Sequence, residues 1–338
     1  MESAALWQAA GFYCVFFMFF MYTMLDGFDL GVGMLIGFVA RSDDERRTLL
    51  GAISPFWDGN EVWLIIALST FFAAFPIAYS RLLPPFYLPL ALAILLFVFR
   101  AVSLEFSYAG KTISRMWLTV FSLSSLLAAS AGFVLISLIV SGIPTTAGGE
   151  PVFAASALCH PFLISFSMTG VVLIALHSLS YLAKKTDGPL NARVIHWASG
   201  LWGVFMVLLL SCLVLLLREA PSPLAKAVVL AGVATILAGA GAYRIALAKK
   251  ADRFLFMCSS LIIGGMWLMA TGMLFPNIIN PVRGDAEVMT IYNTSAPLNS
   301  LRLVVLTAVV GSALVGAYTA YVYKAFGGRR DTERRTAA

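Results

Sequence analysis

Charge is what this sequence has least of. Only 12% of its 338 residues are Asp, Glu, Lys or Arg, while 60% are hydrophobic; an ordinary soluble domain carries about a quarter charged residues. A soluble fold of that composition would expose apolar patches far larger than monomers tolerate, whereas a bilayer presents hydrocarbon to the same surface without penalty. Histidine is scarce too. His160, His177 and His196 are the whole set, and no two share a helical face at a spacing suited to stacked haems, so hydrogen-bonded histidines are expected rather than axial ligands. His160 precedes Pro161, which suits a helix start. The four cysteines, Cys14, Cys159, Cys212 and Cys258, include no C-x-x-C pair, which argues against a metal knuckle or a redox dithiol. They read as buried thiols, with a Cys159–Cys212 disulfide as the alternative. The 13 methionines read as flexible core fillers. The net charge of +6 lies in short loops between apolar runs, so it marks topology and not nucleic-acid binding.

About 20 mostly apolar residues cross the hydrocarbon as a helix. The sequence supplies nine such stretches: 8–39, 52–76, 82–104, 117–141, 158–183, 195–217, 226–248, 254–276 and 301–324. The expected fold is therefore all-α, a polytopic membrane protein of about nine transmembrane helices in bundles. The first stretch is too long for a cleaved signal peptide and is preceded by Glu2 with no basic residue, so it is expected to remain as an anchor. Alternating loops give the orientation. Arg81, Arg218, Lys226, Arg283 and Arg302 fall on one side, and the other eighteen of the 23 Lys and Arg residues fall opposite. Positive loops stay inside, which predicts an external amino terminus and a cytoplasmic carboxyl terminus. Residues 1–327 form one membrane domain and 328–338 a polar cytoplasmic tail. The segment from Asn277 to Ser300 shows no trusted secondary-structure period, and no alternating strand pattern of a β-barrel is evident.

Ionisable residues inside spans carry the most information, because each costs about 2.5–3.5 kcal/mol at the bilayer centre on insertion scales. Two clusters stand out: Asp26-Gly27-Phe28-Asp29-Leu30-Gly31-Val32-Gly33 on span one, and Trp57-Asp58-Gly59-Asn60-Glu61-Val62-Trp63 on span two. Each holds two acids at i and i+3, a spacing that puts both on one helical face, toward a neighbouring helix or a wet cavity. By depth, Asp26, Asp29, Asp58 and Glu61 all belong to the cytoplasmic half, which suits proton uptake. The bland alternative is ion pairing with a base such as Arg100 that ties helices together. Gly27, Gly31, Gly33 and Gly59 remove bulk where a helix or partner approaches. Trp57 and Trp63 are either packing aromatics or the border of a hydrophobic path for a neutral gas. Intramembrane acids also suit a secondary transporter or cation channel, although the paired helix interruptions of that class are not evident.

The two clusters, together with Arg46-Arg47 and Ala270-Thr271-Gly272-Met273-Leu274-Phe275-Pro276, resemble subunit II of the cytochrome bd-type quinol oxidases over essentially the whole chain. The resemblance implies a haem-free subunit in the bacterial inner membrane, with no complete active site of its own. Its partner would be a larger subunit I carrying haems b and d and oxidising quinol, often with a small single-helix accessory subunit. Such a complex belongs to the respiratory electron-transport chain and reduces dioxygen to water with electrons from quinol, taking protons from the cytoplasm. By analogy, Asp26, Asp29 and Asp58 would lie on a proton route and the neighbourhood of Trp63 on an oxygen path. The family pattern also leaves room for a structural quinone or lipid. Glu61 stands where other members carry an amide. The short Arg218 to Lys226 loop looks closer to the compact, sometimes cyanide-insensitive branch.

Overall fold

The computed structural model describes residues 2–108, 113–146, 150–216, 223–279 and 288–326. Its helices are α1 (Glu2–Val39), α2 (Asp43–Ile53), α3 (Trp57–Ala74), α4 (Pro76–Tyr108), α5 (Arg115–Ser141), α6 (Pro161–Lys185), α7 (Gly188–Leu216), α8 (Pro223–Ala248), α9 (Leu255–Leu274), α10 (Ile291–Thr294) and α11 (Leu298–Phe326). Short 3₁₀ turns at Ala155–Cys159 and Asp252–Phe254 precede α6 and α9. The described residues contain two isolated β-bridges and no strand. Eight helices among them are long and apolar enough to cross a membrane, so the protein is an all-α polytopic membrane protein.

The expected second span, 52–76, divides at a turn over Ser54, Pro55 and Phe56. Residues before the turn belong to α2, and α3 is an 18-residue helix that does not reach the apolarity of the other eight. Asp58, Asn60 and Glu61 in its opening turns are the reason. Nevertheless α3 runs antiparallel along α1: Asn60 meets Leu25 and Asp29, Trp63 meets Phe17, and Phe75 lies near Gly11. Helix α4 extends well beyond the expected 82–104 because Pro84, Pro85 and Pro89 are accommodated inside it, where bundle neighbours re-satisfy freed backbone groups. Within the stretch from Asn277 to Ser300, the described residues have more order than expected. Thr290 caps α10 in a reciprocal capping box with Asn293, and Asn277 bridges Thr290. The tail 328–338, Lys111, Arg218 and Arg283 lie outside the described residues.

Helix α1 is the hub, packing against α3, α5, α6, α9 and α11. Buried nearly all round, α6 takes the central place that an apolar, small-residue helix permits. Gly31 and Gly33 make this approach possible. A Cβ on Gly31 would lie 2.6 Å from the Ile174 carbonyl oxygen, and one on Gly33 would overlap Ser125 of α5. A second glycine seam was not singled out from sequence. On α8 and α9, Gly232, Gly239, Gly265 and Gly272 bring two antiparallel backbones together, and a Cβ on Gly232 would come within 2.7 Å of the Met269 amide nitrogen. Such small-residue contacts replace the hydrophobic driving force that is missing between helices in lipid.

Candidate functional site: a buried carboxylate cluster around Arg100

Two successive turns of α1 present Asp26 and Asp29, and both are fully buried. Arg100 reaches Asp26 from α4. Its Nη2 donates to Asp26 Oδ1 at 2.6 Å and its Nη1 to Oδ2 at 3.2 Å, the two-pronged geometry that a planar guanidinium favours. Nη1 also donates to Glu61 Oε1 at 2.6 Å. Arg100 and Asp26 are 0% exposed, and the Glu61 side chain is 23% exposed. The base therefore ties α1, α3 and α4 together. Tyr22, one turn before Asp26, lies within electrostatic reach of its carboxylate.

Asp29 is held differently. Its Oδ2 accepts from Asn60 Nδ2 at 2.7 Å, while the buried Oδ1 has no protein partner. The Asn60 amide also reaches the Leu25 carbonyl at 3.4 Å and the Tyr323 hydroxyl at 3.2 Å, and Tyr323 donates back to Asn60 Oδ1 at 3.3 Å. Tyr323 lies in the last turns of α11, its ring 4.3 Å from that of Phe56. Asn60 was visible within the acidic motif as a polar residue in a span; Tyr323 gave no signal beyond a hydroxyl near a span end.

The structure brings Asp26, Asp29 and Glu61 together but turns Asp58 away. Asp58 is exposed, and its Oδ1 accepts from the Gly59 amide at 2.7 Å. Position explains the departure from the shared face expected at i and i+3. Asp58 stands in the first turn of α3, where backbone N–H groups lack helical acceptors and attract a carboxylate. It remains within electrostatic reach of Glu61. An added Cβ on Gly59 would come into van der Waals contact with the Tyr318 ring at 3.4 Å. A Cβ on Gly27 would press on the movable end of Ile174. Trp57 is half-buried, whereas Trp63 is buried against Phe17 with no protein acceptor for its indole N–H.

An apolar cavity of about 140 Å³ opens between α1, α3, α4 and α5, lined by residues including Phe12, Phe16, Leu68, Phe71, Leu82 and Leu135. Trp57 and Trp63 are not among its lining residues. His177 is buried and hydrogen-bonded as expected, with Nε2 2.8 Å from the Met24 carbonyl and Nδ1 2.8 Å from Ser259 Oγ. His160 and His196 are exposed. The expectation of four buried thiols holds for Cys212 alone. Cys14 and Cys258 are half-buried and Cys159 is exposed, because it ends the 3₁₀ turn before α6. All four are free, so the Cys159–Cys212 disulfide is absent. Among the described residues no group of three His, Cys, Asp or Glu is arranged to hold a metal ion.

At the end of the bundle where α1 leads into α2, Ser42 caps α2 and Glu45 accepts from the Arg41 amide. Glu45 also pairs with Arg193 of α7, whose Nε donates to the Val39 carbonyl at 3.2 Å. Partial burial raises the Glu45 carboxyl, but the hydrogen bonds from Arg41, Arg193 and Ser42 and the Arg193 charge outweigh it, leaving a net shift below the ordinary glutamate value. The S-x-x-E pattern Ser42 to Glu45 is a helix-start signal, and α2 begins on it.

Comparison with known proteins bears on the whole chain. The family described as cytochrome bd terminal oxidase subunit II matches residues 7–326. A relative from Bacillus subtilis strain 168, cytochrome bd ubiquinol oxidase subunit 2, is 28% identical over 330 residues, covering 91% of this chain and 94% of that one. Cytochrome bd-I ubiquinol oxidase subunit 2 of Escherichia coli K12 is 31% identical over 180 residues, 51% of this chain and 47% of its own. A chain in the structure of bd oxidase from Geobacillus thermodenitrificans shares the fold, with a TM-score of 0.76 at 16% identity, covering 95% of this chain and 98% of that one. The transporter or channel reading finds no support in these matches. The chain belongs to the cytochrome bd terminal oxidase subunit II family, and is thus a multi-pass inner-membrane component of a bacterial oxidoreductase complex that uses haems and quinol and includes a subunit I.

Proposed function

We propose that this chain is the haem-free subunit of a quinol:dioxygen oxidoreductase, supporting a haem-bearing subunit I and supplying it with protons through the cluster around Arg100. The single observation that carries this reading is the fully buried Asp26–Arg100 pair with Glu61 and Asp29 beside it. Three carboxylates around one guanidinium are more negative charge than helix tethering requires. Buried charge is costly unless paired, so an excess of this kind belongs where protons arrive and leave.

Asp58, exposed at the start of α3, would collect protons, and Glu61, partly exposed and within its reach, would pass them toward Asp26 and Asp29. Arg100 holds the carboxylates in register and keeps its own proton, as guanidinium groups do. The cluster lies toward the end of the bundle carrying Arg41, Arg46, Arg47, Lys184, Lys185 and Arg193, which the positive-inside rule makes cytoplasmic. On this reading the amino terminus is external, and residues 1–327 form one membrane domain with a cytoplasmic tail at 328–338. Haems b and d belong to subunit I, which oxidises quinol and reduces dioxygen to water. The apolar faces of α4 and α11, with exposed Leu88, Leu92, Val98, Leu303, Leu306 and Val310, suit cover by subunit I, a single-helix accessory subunit or lipid. The apolar cavity would admit dioxygen or the tail of a quinone or lipid; Trp57 would line the subunit interface or an oxygen approach, and Trp63, buried within the bundle, would border such an approach from inside. Gly27, Gly31, Gly33 and Gly59 would serve close packing within the bundle or against subunit I.

The test is quinol-driven proton uptake by the purified complex in proteoliposomes, for wild type and for Asp29→Asn and Asp58→Asn. Slower turnover with unchanged haem spectra supports the route. Wild-type turnover and uptake in both variants contradict it.

A further inference from the structure

Asp29 differs from its neighbours in that its two oxygens have unlike surroundings. Oδ2 is fixed by the Asn60 amide at 2.7 Å, and Oδ1 is buried with no protein partner. The Leu25 carbonyl, an acceptor in every state, and Asp29 Oδ2 face the same end of the Asn60 side chain, which assigns that end as the NH₂. The Tyr323 hydroxyl stands 3.3 Å from the amide oxygen, to which it can donate, and 3.2 Å from the amide nitrogen, from which it can accept. The Tyr323 ring rests on Phe56 and meets Phe28 edge-on. A hydroxyl from α11 therefore anchors an amide on α3, and that amide holds a carboxyl group on α1.

We propose that Asn60 and Tyr323 are positioning residues of the proton route: they bind Asp29 through Oδ2 and so leave Oδ1 as the atom that takes the proton. This inference rests on the proton-route reading above and assigns it two further residues. The proton adds to the lone pair of Oδ1 and later leaves from it, with Oδ2 still bound to Asn60, so no other bond need rearrange. Tyr323 does not touch the travelling proton. Its hydroxyl anchors the Asn60 amide, whose orientation the Leu25 carbonyl sets, and its loss loosens the hydrogen bond to Asp29 Oδ2. The charged and titratable groups around Asp29 are Asp26 and Tyr22 on α1, Glu61 on α3 and Arg100 on α4. From α6, His177 and Tyr181 pack on Phe28, and Lys185 lies over the Tyr181 ring. From α5 comes the Ser125 hydroxyl, one turn along at Gly33. None of these is altered by removing the Tyr323 hydroxyl.

The experiment is the pH profile of quinol-driven oxygen consumption by the whole two-subunit complex, for wild type, Tyr323→Phe and Asp29→Asn. Tyr323→Phe keeps the ring on Phe56 and removes the donor. With haem content unchanged, the limb of the profile that Asp29→Asn abolishes should move to higher pH by about half a unit, the size that one neutral hydrogen bond carries. An unmoved limb in Tyr323→Phe, where Asp29→Asn does change the profile, overturns the positioning role and leaves the proton route standing. If Asp29→Asn leaves the profile unchanged, the route through Asp29 fails and this inference with it. Should Tyr323→Phe fail to assemble, Asn60→Ser takes its place, with the same shift expected and the same absence overturning the role.

Discussion

Replacing Arg100 by Met keeps much of the aliphatic volume in α4 and removes the guanidinium that Asp26 and Glu61 share. Asp26 is fully buried, so its carboxylate would lose its base without gaining water. Breaking a buried pair from one side costs about 3–5 kcal/mol, chiefly because the remaining charge is stranded. For a chain of this size that is a fall of about 5–10 °C in the midpoint at which the detergent-solubilised complex loses its size-exclusion peak. Adding Asp26→Asn and Glu61→Gln to Arg100→Met removes the stranded charges and should recover more than half of the loss, because the penalty lies in the unpaired ions and not in missing volume. The assay is a heating series followed by fluorescence-detected size exclusion of the tagged chain, run on wild type, the single variant and the triple variant. A single variant that melts with wild type, or a triple variant no better than the single, would refute the assignment of Arg100 as the counter-charge of this cluster.

The Glu45–Arg193 contact should give α2 an acid-sensitive tether. The net interactions hold the Glu45 carboxyl below its ordinary value, so its contribution is complete above about pH 4.3, the ordinary glutamate value, and is lost as pH falls through the lowered one. Hydrogen exchange over α2 should become faster across that acid range in wild type and show no such step in Glu45→Gln; the effect should be small, because water screens the pair. Gly31→Val forces side-chain carbons against the Ile174 carbonyl and Ser178 and should cost about 1–3 kcal/mol or more, read as reduced yield of assembled complex. Gly37→Ala, with open space around its Cβ, should match wild type in the same measurement. In the native complex under gentle detergent, a thiol reagent confined to water should leave Cys212 unmodified until the chain is denatured, since that thiol is buried.

Composition and periodicity were enough for the membrane class and most helices, because a span must satisfy its backbone internally and therefore leaves a long apolar record. They were less informative where polar residues interrupt that record. The end of α2 and the whole of α3 read as a single span because Ala52 and Ile53, both buried, continue the apolar run up to the turn, and the S-x-x-E signal at Ser42 is short. Helix α4 begins at Pro76, before the expected start at 82, with Pro84, Pro85 and Pro89 inside it. For the site, buried acids must find partners, and Arg100 was the base named for them. The fate of Asp58 depended on α3 beginning at Trp57, a boundary that spacing alone does not fix. Tyr323 sits 263 positions from Asn60, so its place beside the cluster is a product of the packing of α11 on α1 and α3.

The most direct test of the account is affinity purification of the tagged chain from its native membrane, with an optical spectrum and quinol-driven oxygen consumption measured on the eluate. The expected result is a larger haem-bearing partner in the same complex, oxidase activity, and no haem retained when this chain is separated from it. A chain that elutes alone and colourless from membranes without oxidase activity, or one that keeps a Soret band when purified away from any partner, would contradict the account.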